Sequence, residues 1–142
     1  MTDNTNKLIT ISKADIKDGG MKSFKQDDDS IILITRDGDT FNAFDGKCTH
    51  AGADLGEGLR FGNRVICPWH HGTFDSTDGS LIEPVAMKGL TRYSVTEEGD
   101  NLVVDTSTDM NKKVENDQLT ETHTIIVGGG GAGFMTANQL RH

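Results

Sequence analysis

An all-β domain is predicted for residues 1–106, on three observations. Short runs rich in β-branched residues recur with turn signals between them, SIILITR at Ser30–Arg36 being the strongest. No stretch of this region repeats apolar residues at helical period. Glycines crowd its middle (Gly52, Gly56, Gly58 and Gly62), where the chain must turn tightly.

Taken in order, Leu8–Ile11 alternates weakly and reads as a first strand. Ala14–Gly20 carries turn chemistry, and Met21–Gln26 is a short strand. Asp27-Asp28-Asp29 then reads as a solvated turn, since no ordered set of calcium ligands follows it. After Ser30–Arg36, Asp37-Gly38-Asp39 is a hairpin signal that folds Thr40–Phe44 back onto the strand before it. Asn63–Cys67 is a short strand, and Pro68 stiffens the exit from it by fixing its own backbone angle. STDGS, residues 76–80, is a turn; Leu81–Val85, Leu90–Val95 and Asn101–Asp105 complete the β-rich unit.

Both cysteines of the chain lie in CTHAGADLGEGLRFGNRVICPWHH, residues 48–71. The spacing is C-x-H, sixteen residues, then C-x-x-H, which singles out Cys48, His50, Cys67 and His70. Two thiolates and two imidazoles make a four-ligand metal set. A zinc site uses such a set, and so does a [2Fe–2S] cluster with two histidines on one iron. His71 adjoins the motif but falls outside the spacing.

CTHAG followed by CPWHHGTFD resembles the paired cluster-binding loops of the Rieske family. The resemblance covers roughly Leu8–Asp105 and includes Gly79, Pro84, Leu90, Tyr93 and Val95 in the returning strands. It implies the Rieske fold, antiparallel sheets with a cluster-binding subdomain inserted at about residues 43–87. It also implies a [2Fe–2S] cofactor, with Cys48 and Cys67 on the inner iron and His50 and His70 on the outer one near solvent. Respiratory members of the family carry a disulfide between the loops, where this chain has Ala53 and Trp69. They also offer a serine hydroxyl to a sulfide, where this chain has Gly72. Fewer hydrogen bonds to sulfur stabilise the reduced cluster less, so the expectation is the low end of a span of roughly −150 to +300 mV. Trp69 is expected to pack over the loops and shield the cluster, and Tyr93 to belong to the core.

Composition narrows the function classes. The chain has 142 residues, 34% apolar, enough for one modest domain with a remainder. A net charge of −8 without a basic patch argues against nucleic acid. The acidic excess serves solubility, or offers an acidic face to a basic redox partner. The polar start MTDNTNKLITISK has no apolar run of signal-peptide length, and no segment approaches a membrane span. With both cysteines claimed as ligands, the expectation is a cytoplasmic protein without disulfides and without membrane contact.

Residues 107–121 are polar and read as a linker. Residues 122–142, THTIIVGGGGAGFMTANQLRH after Glu121, read as the opening of a dinucleotide-binding fold. There a strand at Thr124–Val127 turns into a helix through Gly128, Gly130 and Gly133. The acidic ribose-binding residue expected ~20 positions further on is not reached, so the fragment is read as a truncated Rossmann βα unit that would hold FAD only in a longer protein. The order Rieske domain, linker, FAD-binding strand resembles ferredoxin reductases akin to apoptosis-inducing factor. The leading functional expectation is therefore one-electron transfer as the iron–sulfur module of an FAD-dependent NAD(P)H oxidoreductase, with the fused flavin domain or a redox protein as partner. Two others stand beside it: a stand-alone Rieske ferredoxin serving a ring-hydroxylating oxygenase, and a zinc-bound interaction module without redox role.

Overall fold

The computed structural model describes residues 7–107 and 109–111. Among the described residues, ten strands fall into two antiparallel sheets. The larger contains β1 (Leu8–Ser12), β2 (Met21–Lys25), β3 (Ile31–Asp37), β4 (Thr40–Asp45), β9 (Arg92–Glu98) and β10 (Asn101–Asp105), in the order β1-β10-β9-β4-β3-β2. The smaller contains β5 (Leu59–Phe61), β6 (Arg64–Ile66), β7 (Thr73–Asp75) and β8 (Leu81–Glu83), in that order. All four strands of the second sheet lie in sequence between β4 and β9.

Two apolar cores share β3. Ile32 and Ile34 on one face pack with Ile11, Ile16, Ala43, Leu102 and Val104. Leu33, on the other face, joins Phe44, Leu55, Val65, Phe74, Leu90 and both cysteines. A strand covered on both sides carries an unbroken apolar run, which is why SIILITR shows no polar alternation. The same division separates Ala43 from Phe44 on β4. β4 meets β9 through only two residue pairs, Ala43 with Tyr93 and Phe44 with Arg92. That short seam lets the two halves of the large sheet curl around the isoleucine-rich core.

Local chemistry sets the turns. Gly38 adopts φ +61° between β3 and β4, and its amide donates to the Asp18 carboxylate at 2.7 Å. Gly79 adopts φ +77°, and a Cβ there would stand 3.0 Å from the Phe44 ring. The Asp27–Asp29 turn is closed by Asp28, which accepts from the Ser30 amide and from Lys7 Nζ.

The sequence reading finds eight of the ten strands within a few residues and misses β5 and β7. These are only three residues long and are held by partners rather than propensity. β5 is fixed by Arg60, whose side chain is 4% exposed. Its guanidinium donates to the carbonyls of Gly20 (2.6 Å) and Arg36 (2.7 Å), and to Asp37 and the Ser76 hydroxyl. Thr35 completes the joint by donating to the Ser76 carbonyl at 2.7 Å. Past β10, the Met110 amide donates to the Arg92 carbonyl and Asn111 Nδ2 to that of Asp78. The glycine-rich segment with Gly128, Gly130 and Gly133 lies outside the described residues, as does most of the stretch read as a linker.

Candidate metal centre

Two loops carry the cysteine–histidine pairs. The first leaves β4, is pinned by a bridge between Lys47 and Asp54, and turns at Gly52, which adopts φ +79°. Within it the Cys48 amide donates to Ala53 O, and the Gly52 amide to Cys48 O, both at 2.8 Å. The second loop joins β6 to β7. There the Cys67 amide donates to Gly72 O at 2.9 Å and the His71 amide to Cys67 O at 3.2 Å. His71 itself sits at φ +63°, a conformation L-residues adopt sparingly outside functional turns.

The four singled-out residues meet as two pairs. Cys48 and Cys67 are buried in the core that holds Leu33, Phe44 and Phe74. Their thiols interact with one another, and the amides of His50 and Ala51 point at the Cys48 sulfur. His50 and His70 lie at the surface with ring centroids 4.8 Å apart and planes at 86°. Burial, together with the neighbouring Cys67 thiol, pushes the Cys48 thiol up from its ordinary value; the two amides work against that shift. Two ionised sulfurs side by side in an apolar core need a positive charge between them, and backbone N–H groups aimed at sulfur favour the thiolate.

Among the described residues, no three His, Cys, Asp or Glu side chains converge as the cage of a single ion does. Sulfur with sulfur inside and imidazole with imidazole outside is the donor arrangement that a two-iron centre takes, one pair to each iron.

The family model for the Rieske [2Fe-2S] domain matches residues 6–94, well over half of the chain. The chain belongs to the Rieske [2Fe-2S] domain family. Its Rieske cofactor is a [2Fe–2S] cluster, and the donor set just described fits it. Among curated relatives, apoptosis-inducing factor 3 of Mus musculus is 27% identical over 139 residues, 89% of this chain. The chain spans only 23% of that relative's length. The ferredoxin component of the naphthalene 1,2-dioxygenase system of Pseudomonas aeruginosa is 27% identical over 100 residues, 70% of this chain and 95% of its own. The ferredoxin of carbazole 1,9a-dioxygenase from Nocardioides aromaticivorans IC177 superposes with a TM-score of 0.61 at 26% identity, over 68% of this chain and 93% of its own.

One side-chain reading changes with the Rieske fold in view. Trp69 does not cover the loops; it is 58% exposed, edge-on to His70 with ring centroids 6.5 Å apart. The loop directs Cys67 into the core and turns immediately, which leaves Trp69 and His70 outside. Tyr93 packs against the isoleucine-rich core as expected. Sequence spacing gave no signal for a third loop at the site, residues 84–88. It is tied to the first by the Thr49 hydroxyl, which donates to the Lys88 carbonyl at 2.7 Å. It borders the second at Gly72, where a Cβ would stand 3.6 Å from the Ala86 amide. Among the described residues no helix is long and apolar enough to cross a membrane.

Proposed function

We propose that this Rieske domain is a one-electron carrier, in which Cys48 and Cys67 would hold one iron and His50 and His70 the other. The observation that carries the reading is the segregation of the four donors, with thiols sealed in the core and imidazoles at the surface. The bound cluster supplies reversible one-electron chemistry, at a potential raised by replacing two thiolates with neutral imidazoles. The chain's own part is to keep water from the sulfurs with Leu33, Phe44, Leu55 and Phe74. It also aims the His50 and Ala51 amides at Cys48 and leaves one edge of the site open to a partner.

The fuller reading is that the domain serves as the iron–sulfur module of an FAD-dependent NAD(P)H oxidoreductase. Supporting it, the likeness to apoptosis-inducing factor 3 extends over 89% of the chain, past residue 94 where the Rieske match ends. Gly128, Gly130 and Gly133 would then contribute to an FAD site, with residues 107–121 as the linker to that domain. A second reading, a stand-alone ferredoxin for a ring-hydroxylating oxygenase, is favoured by the 95% coverage of the naphthalene-system ferredoxin. A reducing, cytoplasmic setting accords with two cysteines that form no disulfide.

The test is low-temperature EPR of the dithionite-reduced chain, with iron, sulfide and zinc assayed on the same sample. A Rieske-type spectrum with equal iron and sulfide is expected, lost in H50A and H70A. One zinc without sulfide would overturn the electron-carrier reading. Sequence continuing past His142 into a second β-strand and an acidic ribose ligand would separate the fused reductase from the stand-alone ferredoxin.

A further inference from the structure

The chain carries 22 acidic residues, and between Asp45 and Asp54 and after Glu83 the residues nearest the two histidines include none. The loops bordering the His50–His70 pair are residues 46–53, 67–72 and 84–89. Histidines aside, their charged residues are Lys47 and Lys88, both exposed. The third loop belongs with the other two through the Thr49–Lys88 hydrogen bond and the contact of Ala86 with Gly72. In the same loops apolar side chains stand in water: Trp69 at 58% exposure, Met87 at 49% and Val85 at 43%.

This distribution is not what solubility alone would select. An aromatic ring and two aliphatic chains grouped on the surface of a small protein mark a place that is covered for part of its working life. Tryptophan gives more binding free energy per side chain than almost any other residue, and it tends to sit at the centre of an interface with charges at the rim. The long-range field has a direction as well. A body with a large acidic excess and a tip bearing two lysines turns its tip towards negative potential and away from positive.

We propose that Trp69, Val85 and Met87 form a docking rim around the two histidines, fringed by Lys47 and Lys88, that receives a redox protein presenting an apolar patch ringed by carboxylates. The inference rests on the electron-carrier reading, since it is that reading which requires a partner to reach this edge. Trp69 anchors the complex and governs how slowly it dissociates; the lysines orient the encounter and govern its salt dependence. The acidic excess of the rest of the chain disfavours a carboxylate-ringed partner away from this tip, so the orientation is selected by exclusion as well as by attraction.

The test titrates the full chain, with its cluster reconstituted, against two haem proteins by calorimetry. One is the soluble domain of cytochrome b5, whose exposed haem edge is ringed by carboxylates; the other is cytochrome c, whose edge is ringed by lysines. Cytochrome b5 is expected to bind, more weakly as salt rises. W69A should raise its Kd on the order of tenfold, and W69F should restore much of the loss. The double reversal K47E/K88E should abolish both binding and its salt dependence. Failure of cytochrome b5 to bind, or an unchanged Kd in W69A or K47E/K88E, would overturn the docking rim. So would tighter binding of cytochrome c that weakens in W69A. EPR of the same samples keeps the two layers apart. A Rieske signal with an unchanged Kd sinks the docking surface alone, whereas no signal sinks the electron-carrier reading beneath it.

Discussion

The Thr49 hydroxyl donates to the Lys88 carbonyl oxygen at 2.7 Å, so the residue between Cys48 and His50 is tied to a loop 39 positions further along the chain. The first histidine is thereby held from both sides, by its cysteine within the core and by this bond at the surface. T49V keeps the shape of the side chain and removes the donor. We expect about 1 kcal/mol of lost stability and faster loss of iron to a chelator, followed by the decay of visible absorbance. Iron loss at the wild-type rate would mean that the tie does not hold the loop.

Gly72 has room for a side chain. A Cβ there would lie 3.6–3.7 Å from Ala86 and 3.9 Å from the Cys48 sulfur, ordinary contact distances. G72S should therefore fold and bring a hydroxyl beside that sulfur. A hydrogen bond to sulfur stabilises the reduced cluster, so the midpoint potential should rise by on the order of tens of mV. G72A, which adds the carbon without the donor, should stay near the wild-type value. Equal shifts in the two variants would assign the effect to packing.

Arg60 is expected to be the most costly polar residue to lose. R60M removes the donors to the Gly20 and Arg36 carbonyls, to Asp37 and to Ser76, and leaves Gly20 O only its bond from the Arg36 amide, inside a joint between the two sheets. The expected loss is roughly 2–4 kcal/mol, read from denaturant unfolding. R60K should recover little, because one ammonium cannot reproduce a planar fork reaching five acceptors.

Tyr93 gives the fold an alkaline limit. Burial above all, with the Asp45 and Asp109 carboxylates, pushes its phenol up from 10.0 to about 12. The folded chain thus keeps a proton that the unfolded chain has already released, and stability that is fully present below pH 10.0 is lost as pH rises towards about 12. Tyr93 is the only tyrosine and is half-buried, so the slope should be modest and attributable. Thermal midpoints of wild type and Y93F should run in parallel at neutral pH and diverge above pH 10.0. Parallel curves throughout would remove Tyr93 from the account.

What could be read in the sequence follows from where the information is local. Cys48, His50, Cys67 and His70 stood out because metal ligation needs fixed residue types at fixed spacing. β3 stood out because a strand buried on both faces must be apolar throughout. Arg60 did not stand out, because four of its five acceptors come from three distant segments and only the Gly62 carbonyl is encoded near it. β5 and β7 were hidden for the same reason. Trp69 was read as packing over the loops, whereas its exposure depends on the turn that sends Cys67 inward. The acid-free loops were in plain view as letters, but their grouping becomes visible only once the third loop is seen to join the other two.

β1 and β10 have a mechanical consequence. They pair antiparallel with Leu8 opposite Asp105, and the Lys7 carbonyl accepts from both the amide and the hydroxyl of Thr106. β1 therefore begins and β10 ends on one rung of the ladder, beyond which the chain runs on to Asn111, held to Arg92, Asp78 and Leu90. Tension applied through these two strands loads the hydrogen bonds singly, as a zip is opened, rather than sharing the load along the strand. A tug from the N-terminal flank would peel β1 first, at the edge of the large sheet, and the loops carrying the histidines would feel it last.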